Sequence, residues 1–144
     1  GNRTRRLDLH QGGVLLFDGE TGALRAVVDA SAVTATRTAA VSAVATQALA
    51  REDARELAIL GSGVQARSHL EAMAMVQPFD RARVWSRTAG RASAFAAEAP
   101  APFPVEAVES AEEAVRGADV VVTATSARDQ KAGGAGKRDT EAGR

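Results

Sequence analysis

The chain has 144 residues, and its 18 Lys plus Arg balance 18 Asp plus Glu, which argues against a general nucleic-acid or membrane-surface binder. Apolar residues reach 45%, enough for one core, but much of that is alanine, and aromatics are only 3%. With no cysteine there is no disulfide framework, thiolate zinc site or cysteine nucleophile. The polar start has no apolar h-region and no apolar run reaches the ~18 residues of a membrane span, so the expected compartment is the cytoplasm.

The first nine residues are basic and weakly patterned. Val14 to Asp18 reads as a strand, Gly19-Glu20-Thr21-Gly22 as a turn in which both glycines can take φ > 0, and Leu24 to Asp29 as the return strand. A hairpin alone is marginal in water, so it must pack on something that is not obvious in this chain. Ser31 to Ala50 lacks Gly and Pro and predicts a helix, with Asp29 or Ser31 as cap and Ala32, Val33, Thr36, Ala40, Val41, Val44 and Ala48 recurring at helical spacing. Arg37 on this helix reads either as a solvated face or as an anion contact.

Glu56 to Leu60 is an apolar strand that runs into Gly61-Ser62-Gly63 and a helix from Val64 to Val76, stopped before Pro78. Arg83 to Trp85 predicts the next strand. Thr88 is placed to cap a helix from Ala89 to Ala99, ended by Pro100, Pro102 and Pro104. Val105 to Val108 predicts a third strand. Ser110-Ala111-Glu112-Glu113 is a capping box whose helix ends at Gly117. Asp119 to Thr123 reads as a doubly buried strand. The rhythm β-α-β-α-β-α-β predicts an α/β fold, a Rossmann-like, doubly wound parallel sheet. The two strands that usually follow the fourth are missing, and Lys131 to Arg144 reads as a disordered tail.

In the glycine turn, Gly61 permits a sharp bend, Gly63 lets backbone amides approach a diphosphate, and the helix N-terminus adds partial positive charge. The pattern Gly61-x-Gly63-x-x-Ala66 inside a complete βαβ unit points to a dinucleotide site; the bland alternative is an ordinary βα turn. An NAD site usually has an acid at the end of the second strand, whereas this chain has Ser86-Arg87-Thr88. Arg87 can meet a 2′-phosphate with Ser86 and Thr88 as further donors, so NADP(H) is favoured over NAD. On the bland reading Arg87 is a surface charge and Thr88 a cap. His10 and His69 are the only histidines, too far apart to suggest a metal site, and His69 reads as structural.

His10-Gln11-Gly12, Thr21-Gly22, Thr34-x-x-Arg37-Thr38-Ala39-Ala40, Gly61-Ser62-Gly63-Val64-Gln65-Ala66 and Thr123-Ala124-Thr125 occur in the order seen in the ornithine cyclodeaminase/mu-crystallin family. The chain resembles that family from His10 to Ser126, and Trp85-Ser86-Arg87-Thr88 resembles its NADPH-binding, ketimine-reducing mu-crystallin branch. The resemblance implies three parts: a partial dimerisation domain over residues 1–50 (hairpin plus connecting helix), a truncated NAD(P)-binding Rossmann domain over 51–127, and a non-family tail over 128–144. It implies a homodimer that reduces cyclic ketimines or related imino acids with NAD(P)H, and thyroid-hormone binding if that branch is right. Arg37 would hold the substrate carboxylate and Thr38 would lie by the cofactor. Gly63, Val64 and Gln65 would line the diphosphate, and Ser86, Arg87 and Thr88 the 2′-phosphate. Thr125, with Thr123 and Ala124, would lie under the ribose and nicotinamide. The family's acid–base Asp would follow Ser126, so a fragment of reduced or no activity is expected. The alternatives are a non-catalytic NADPH-regulated hormone-binding protein and an NAD-dependent ornithine cyclodeaminase.

Overall fold

The computed structural model describes residues 12–125; the basic start, His10 and the tail from Lys131 lie outside them. Two antiparallel strands, β1 (Gly13–Phe17) and β2 (Leu24–Asp29), lead into a long helix, α1 (Ala30–Leu49). Then follow β3 (Glu56–Leu60), α2 (Val64–Val76), β4 (Arg81–Trp85), α3 (Ala89–Ala97), β5 (Val105–Ala107), α4 (Ala111–Val115) and β6 (Val120–Thr123). The four later strands form one parallel sheet in the order β5-β4-β3-β6. The α/β architecture expected from the β-α rhythm is present, and the winding direction reverses between β3 and β6.

The hairpin loop covers residues 18–23 and is organised by Asp18. Its Oδ1 accepts from the Glu20 amide at 3.1 Å, the Thr21 amide at 2.9 Å and the Thr21 hydroxyl at 2.9 Å. Gly22 takes φ 69°, while Gly19 is not among the positive-φ glycines, contrary to expectation. Val14, Leu15, Leu16, Phe17, Leu24, Val27 and Val28 are all exposed. The hairpin therefore leaves its apolar side chains uncovered by the described residues.

Asp29, not Ser31, caps α1, its Oδ1 accepting from the Ser31 amide at 2.7 Å. The buried stripe of α1 is Ala35, Ala39 and Ala43, whereas the expected positions Val41 and Val44 are exposed. An alanine-rich helix offers little contrast between faces, and the shortest side chains allow the closest approach of α1 to α2, its main neighbour.

The core lies between the sheet and its helices. β3 is central, with Leu57, Ala58 and Ile59 at 0% exposure, and Leu70, Met73, Phe79, Val84 and Phe95 close around it. Burying side chains of this size contributes about 1.5–3 kcal/mol each. Phe79 and Phe103 meet edge to face, their centroids 6.0 Å apart. β6 corrects the doubly buried reading. Val122 is buried, but Val121 is 46% exposed, because β6 is the edge strand of the described sheet. β4 begins earlier than predicted, at Arg81, and β5 is shorter, ending at Ala107. Thr88 stands at the N-cap position of α3 but makes no side-chain cap bond. Ser110 does cap α4, accepting from the Glu113 amide at 3.0 Å, while Glu113 reaches the Glu109 amide rather than that of Ser110.

Asp119 ties the start of β6 to β3. Its Oδ2 accepts from the amides of Arg55 at 2.8 Å and Glu56 at 3.0 Å, and Oδ1 meets the Arg51 guanidinium. Those two amides, helped by the Arg51 charge and opposed by desolvation, hold the carboxyl below its ordinary value. A depressed folded-state value contributes stability that is complete above the unfolded value of about 3.9 and is lost as pH falls through the folded one. Asp119→Asn should therefore flatten part of the acid limb of stability against pH, read by urea unfolding. An unchanged acid limb would refute this.

Candidate functional site

Three strand ends converge at the reversal point of the sheet. Leu60 accepts from the Ala124 amide at 2.8 Å, and the Gly61 amide donates to the Trp85 carbonyl at 2.8 Å. The C-terminal ends of β3, β4 and β6 thus form one edge, with Gly61 in the middle. In open parallel sheets, ligands bind in the crevice at this reversal.

The two glycines of the turn do different work. Gly61 has φ 132°, and a Cβ there would stand 2.5 Å from the Ala124 carbonyl oxygen. It is glycine because β6 passes against it. At Gly63 an added Cβ meets nothing within 4 Å and the backbone is extended, so its smallness matters only for something that enters from outside. Gly63 is the N-cap of α2, no side chain caps that helix, and its first turn holds no acid. Gly63 and Val64 are exposed, so this helix terminus, with its partial positive charge, lies at the surface. Gln65 Oε1 is buried without a hydrogen-bond partner among the described residues. Open cradle, uncapped amides and orphaned polar atom together fit a dinucleotide diphosphate.

Of the other expected site residues, Val64 is 72% exposed at the mouth of the turn. Ser86 is half-buried at the end of β4, and Arg87 and Thr88 are exposed beyond it. Thr123 and Thr125 are exposed and Ala124 half-buried beside Gly61. Sequence reasoning passed over Ser62. Its hydroxyl donates to Ser86 Oγ at 3.0 Å, which joins the turn to the proposed 2′-phosphate loop. A polar residue between the two glycines was the available signal.

Arg37 is exposed on α1, and Thr38 is half-buried with its hydroxyl on the Thr34 carbonyl at 2.7 Å. No hydrogen bond or ion pair joins these two side chains to the glycine turn among the described residues. The connection runs through His69, which is 6% exposed. His69 Nδ1 lies 2.7 Å from the Gln65 carbonyl, and Nε2 lies 3.0 Å from Ser42 Oγ, which in turn reaches the Thr38 carbonyl at 3.2 Å. A carbonyl only accepts, so Nδ1 carries a hydrogen, and the single Ser42 hydroxyl hydrogen serves one of its two neighbours, the Thr38 carbonyl or Nε2. His69 thus bridges the helix of Arg37 and Thr38 to the first turn of α2.

Known proteins resemble the chain in sequence and in fold. The profile of the ornithine cyclodeaminase/mu-crystallin family matches residues 1–135. Ketimine reductase mu-crystallin of Rattus norvegicus is 44% identical over 127 residues, 88% of this chain and 40% of its own length. Delta(1)-pyrroline-2-carboxylate reductase 2 of Burkholderia ambifaria is 39% identical over 128 residues, 89% of this chain and 41% of its own. Among solved structures, Thermococcus litoralis Delta(1)-pyrroline-2-carboxylate reductase, in complex with NADH and L-proline, is similar with a TM-score of 0.82 at 38% identity, covering 88% of this chain and 40% of that one. A lysine cyclodeaminase gives 0.77 at 40% identity, covering 90% and 38%. The chain spans about 40% of the length of these relatives.

Proposed function

The chain belongs to the ornithine cyclodeaminase/mu-crystallin family, and from that premise we propose that it carries the cofactor-binding part of an NADP-dependent reductase of cyclic ketimines and related imino acids. The observation that carries the reading is the uncapped α2 N-terminus behind Gly63, flanked by Ser86-Arg87-Thr88 where an NAD site would hold an acid. When bound, the reduced nicotinamide supplies the hydride for an imine carbon. The chain's own residues hold and orient. The first-turn amides of α2 and Gly63 take the diphosphate, and Arg87 with Ser86 and Thr88 takes the 2′-phosphate. Thr123, Ala124 and Thr125 line the ribose and nicotinamide beside Thr38. Arg37 binds the carboxylate of the imino acid through its planar fork.

The same carboxylate recognition extends to thyroid hormone, which also bears a carboxylate; that extension rests on the resemblance to the mu-crystallin branch. We take residues 1–50 as a dimerisation part, 51–127 as the cofactor domain and 128–144 as a tail. A homodimer would cover the apolar hairpin of Val14 to Val28. Among the described residues no helix is long and apolar enough to cross a membrane, and a cytoplasmic site of action belongs to the proposal. One observation favours a second reading, NAD-linked chemistry: NADH is the cofactor in the Thermococcus litoralis complex.

Titration of the 144-residue chain with NADPH and NADH, followed by nicotinamide fluorescence, tests the reading. NADPH should bind more tightly, and Arg87→Ala should weaken it about ten-fold or more while leaving NADH nearly unchanged, as expected for loss of a charged hydrogen bond. Equal affinities for the two would sink the NADP assignment. No binding of either would sink the cofactor site.

A further inference from the structure

A groove of about 280 Å³ lies between α2 and α3, lined by Ser62, Arg67, Arg91, Ala94, Phe95 and Glu98. It starts beside the proposed 2′-phosphate loop, because Ser62 on its wall is bonded to Ser86 at the end of β4. Three charged side chains face it, and two of them are committed to each other. The Arg67 guanidinium donates to the Glu98 carbonyl at 3.1 Å and to its carboxylate at 3.3 Å, and lies 5.8 Å above the Phe95 ring. Glu98 would repel an anion, but Arg67 offsets its charge. Arg91 has no side-chain hydrogen bond or ion pair among the described residues. The groove therefore keeps one uncompensated cation.

Arg91 is also held in the right neighbourhood by the backbone. Its amide donates to the Thr88 carbonyl at 2.9 Å in the first turn of α3, so it stands one turn beyond Arg87. Thr88 spends no hydroxyl on capping that helix, and no acid occupies the first turn. Arg91 and Ser62 thus line one groove, and each is tied to the Ser86-Arg87-Thr88 segment, Ser62 through Ser86 Oγ and Arg91 through the Thr88 carbonyl. A phosphomonoester carries about −1.5 to −2 charge and three acceptor oxygens at neutral pH, and a guanidinium fork matches it bidentately.

We propose that Arg91, with Ser62, is a further specificity-determining element for a phosphomonoester on the adenosine ribose, a second cation in addition to Arg87. The inference rests on the NADP reading above and names a second cation within it. Neutralising Glu98 would free the Arg67 charge it now offsets and make the groove more cationic.

Calorimetric titration of the full chain with 2′,5′-ADP and with 5′-AMP separates the two readings. Wild type should bind 2′,5′-ADP more tightly. Arg91→Ala should weaken 2′,5′-ADP roughly ten- to hundred-fold and 5′-AMP less than about two-fold. Arg91→Lys should recover only part of the loss, and Glu98→Gln should tighten 2′,5′-ADP a few-fold. Arg91 is exposed, and far-UV circular dichroism of each variant confirms that it is folded. If wild type prefers 2′,5′-ADP but Arg91→Ala keeps the same preference, or loses both ligands equally, the role of Arg91 is overturned. If wild type does not distinguish the two ligands, the NADP reading fails and the inference with it.

Discussion

Gly61→Ala should destabilise the fold by about 2–6 kcal/mol, the sum of a strained backbone and an overpacked contact. At φ 132° a side chain is strained whatever the space around it, and here the space is missing. The new Cβ would lie 2.5 Å from the Ala124 oxygen and 2.8 Å from the Ala124 carbonyl carbon. Both obstacles are backbone, so relief requires the ends of β3 and β6 to separate, and with them the Ala124–Leu60 hydrogen bond. Against a typical total of 5–15 kcal/mol, urea unfolding should show a large drop in midpoint or no cooperative transition. Gly63→Ala provides the contrast. Its Cβ meets nothing and its φ of −92° is ordinary, so stability should change by less than about 1 kcal/mol while dinucleotide affinity falls. If the two substitutions cost the same stability, this division of labour is wrong.

Leu70→Ala should cost about 3–5 kcal/mol, the range for a leucine deleted from a core that cannot collapse. Leu70 is 0% exposed on the inner face of α2 and belongs to the cluster of Leu57, Ile59, Met73 and Val84. Much of the remaining buried set is alanine: Ala35, Ala39, Ala43, Ala54, Ala58, Ala66, Ala82, Ala92 and Ala114. Alanines cannot extend into a void, so the few large side chains carry a large share of the burial and a cavity stays open. Leu49→Ala is the control, since Leu49 is 83% exposed and should change stability by no more than about 0.5 kcal/mol. A Leu70→Ala cost below about 1 kcal/mol would show that α2 does not close this core.

Much of the sheet could be read from the chain because its signals are local. Apolar runs at Leu57–Leu60 and Val120–Val122, the glycine turn, the capping serine at Ser110 and Gly117 at φ 70° each act within a few residues. The family resemblance likewise rests on short motifs at Arg37-Thr38 and Gly61 to Ala66. Faces and partners were less legible. The stripe of Ala35, Ala39 and Ala43 had no advantage over the valine-bearing face until α2 packed on it. β6 read as doubly buried because hydropathy reports how apolar a strand is and not how many neighbours it has.

What the amino-acid sequence alone determined is the succession of strands and helices, the Gly61-Ser62-Gly63 turn and the absence of an acid from Ser86-Arg87-Thr88 at the end of the second strand of that βαβ unit. Those follow from backbone sterics, capping and hydropathy, all of short range. Only the tertiary structure decided that the Ala124 carbonyl leaves no room for a side chain at Gly61 while Gly63 stays open. Only it joined Thr38 to Gln65 through Ser42 and His69, and turned Arg67 toward Glu98 while giving the Arg91 side chain no hydrogen-bond or ion-pair partner among the described residues. The Gly61–Ala124, Ser42–His69 and Arg67–Glu98 contacts join residues far apart in the chain, so their geometry exists only once the strands are paired and the helices packed.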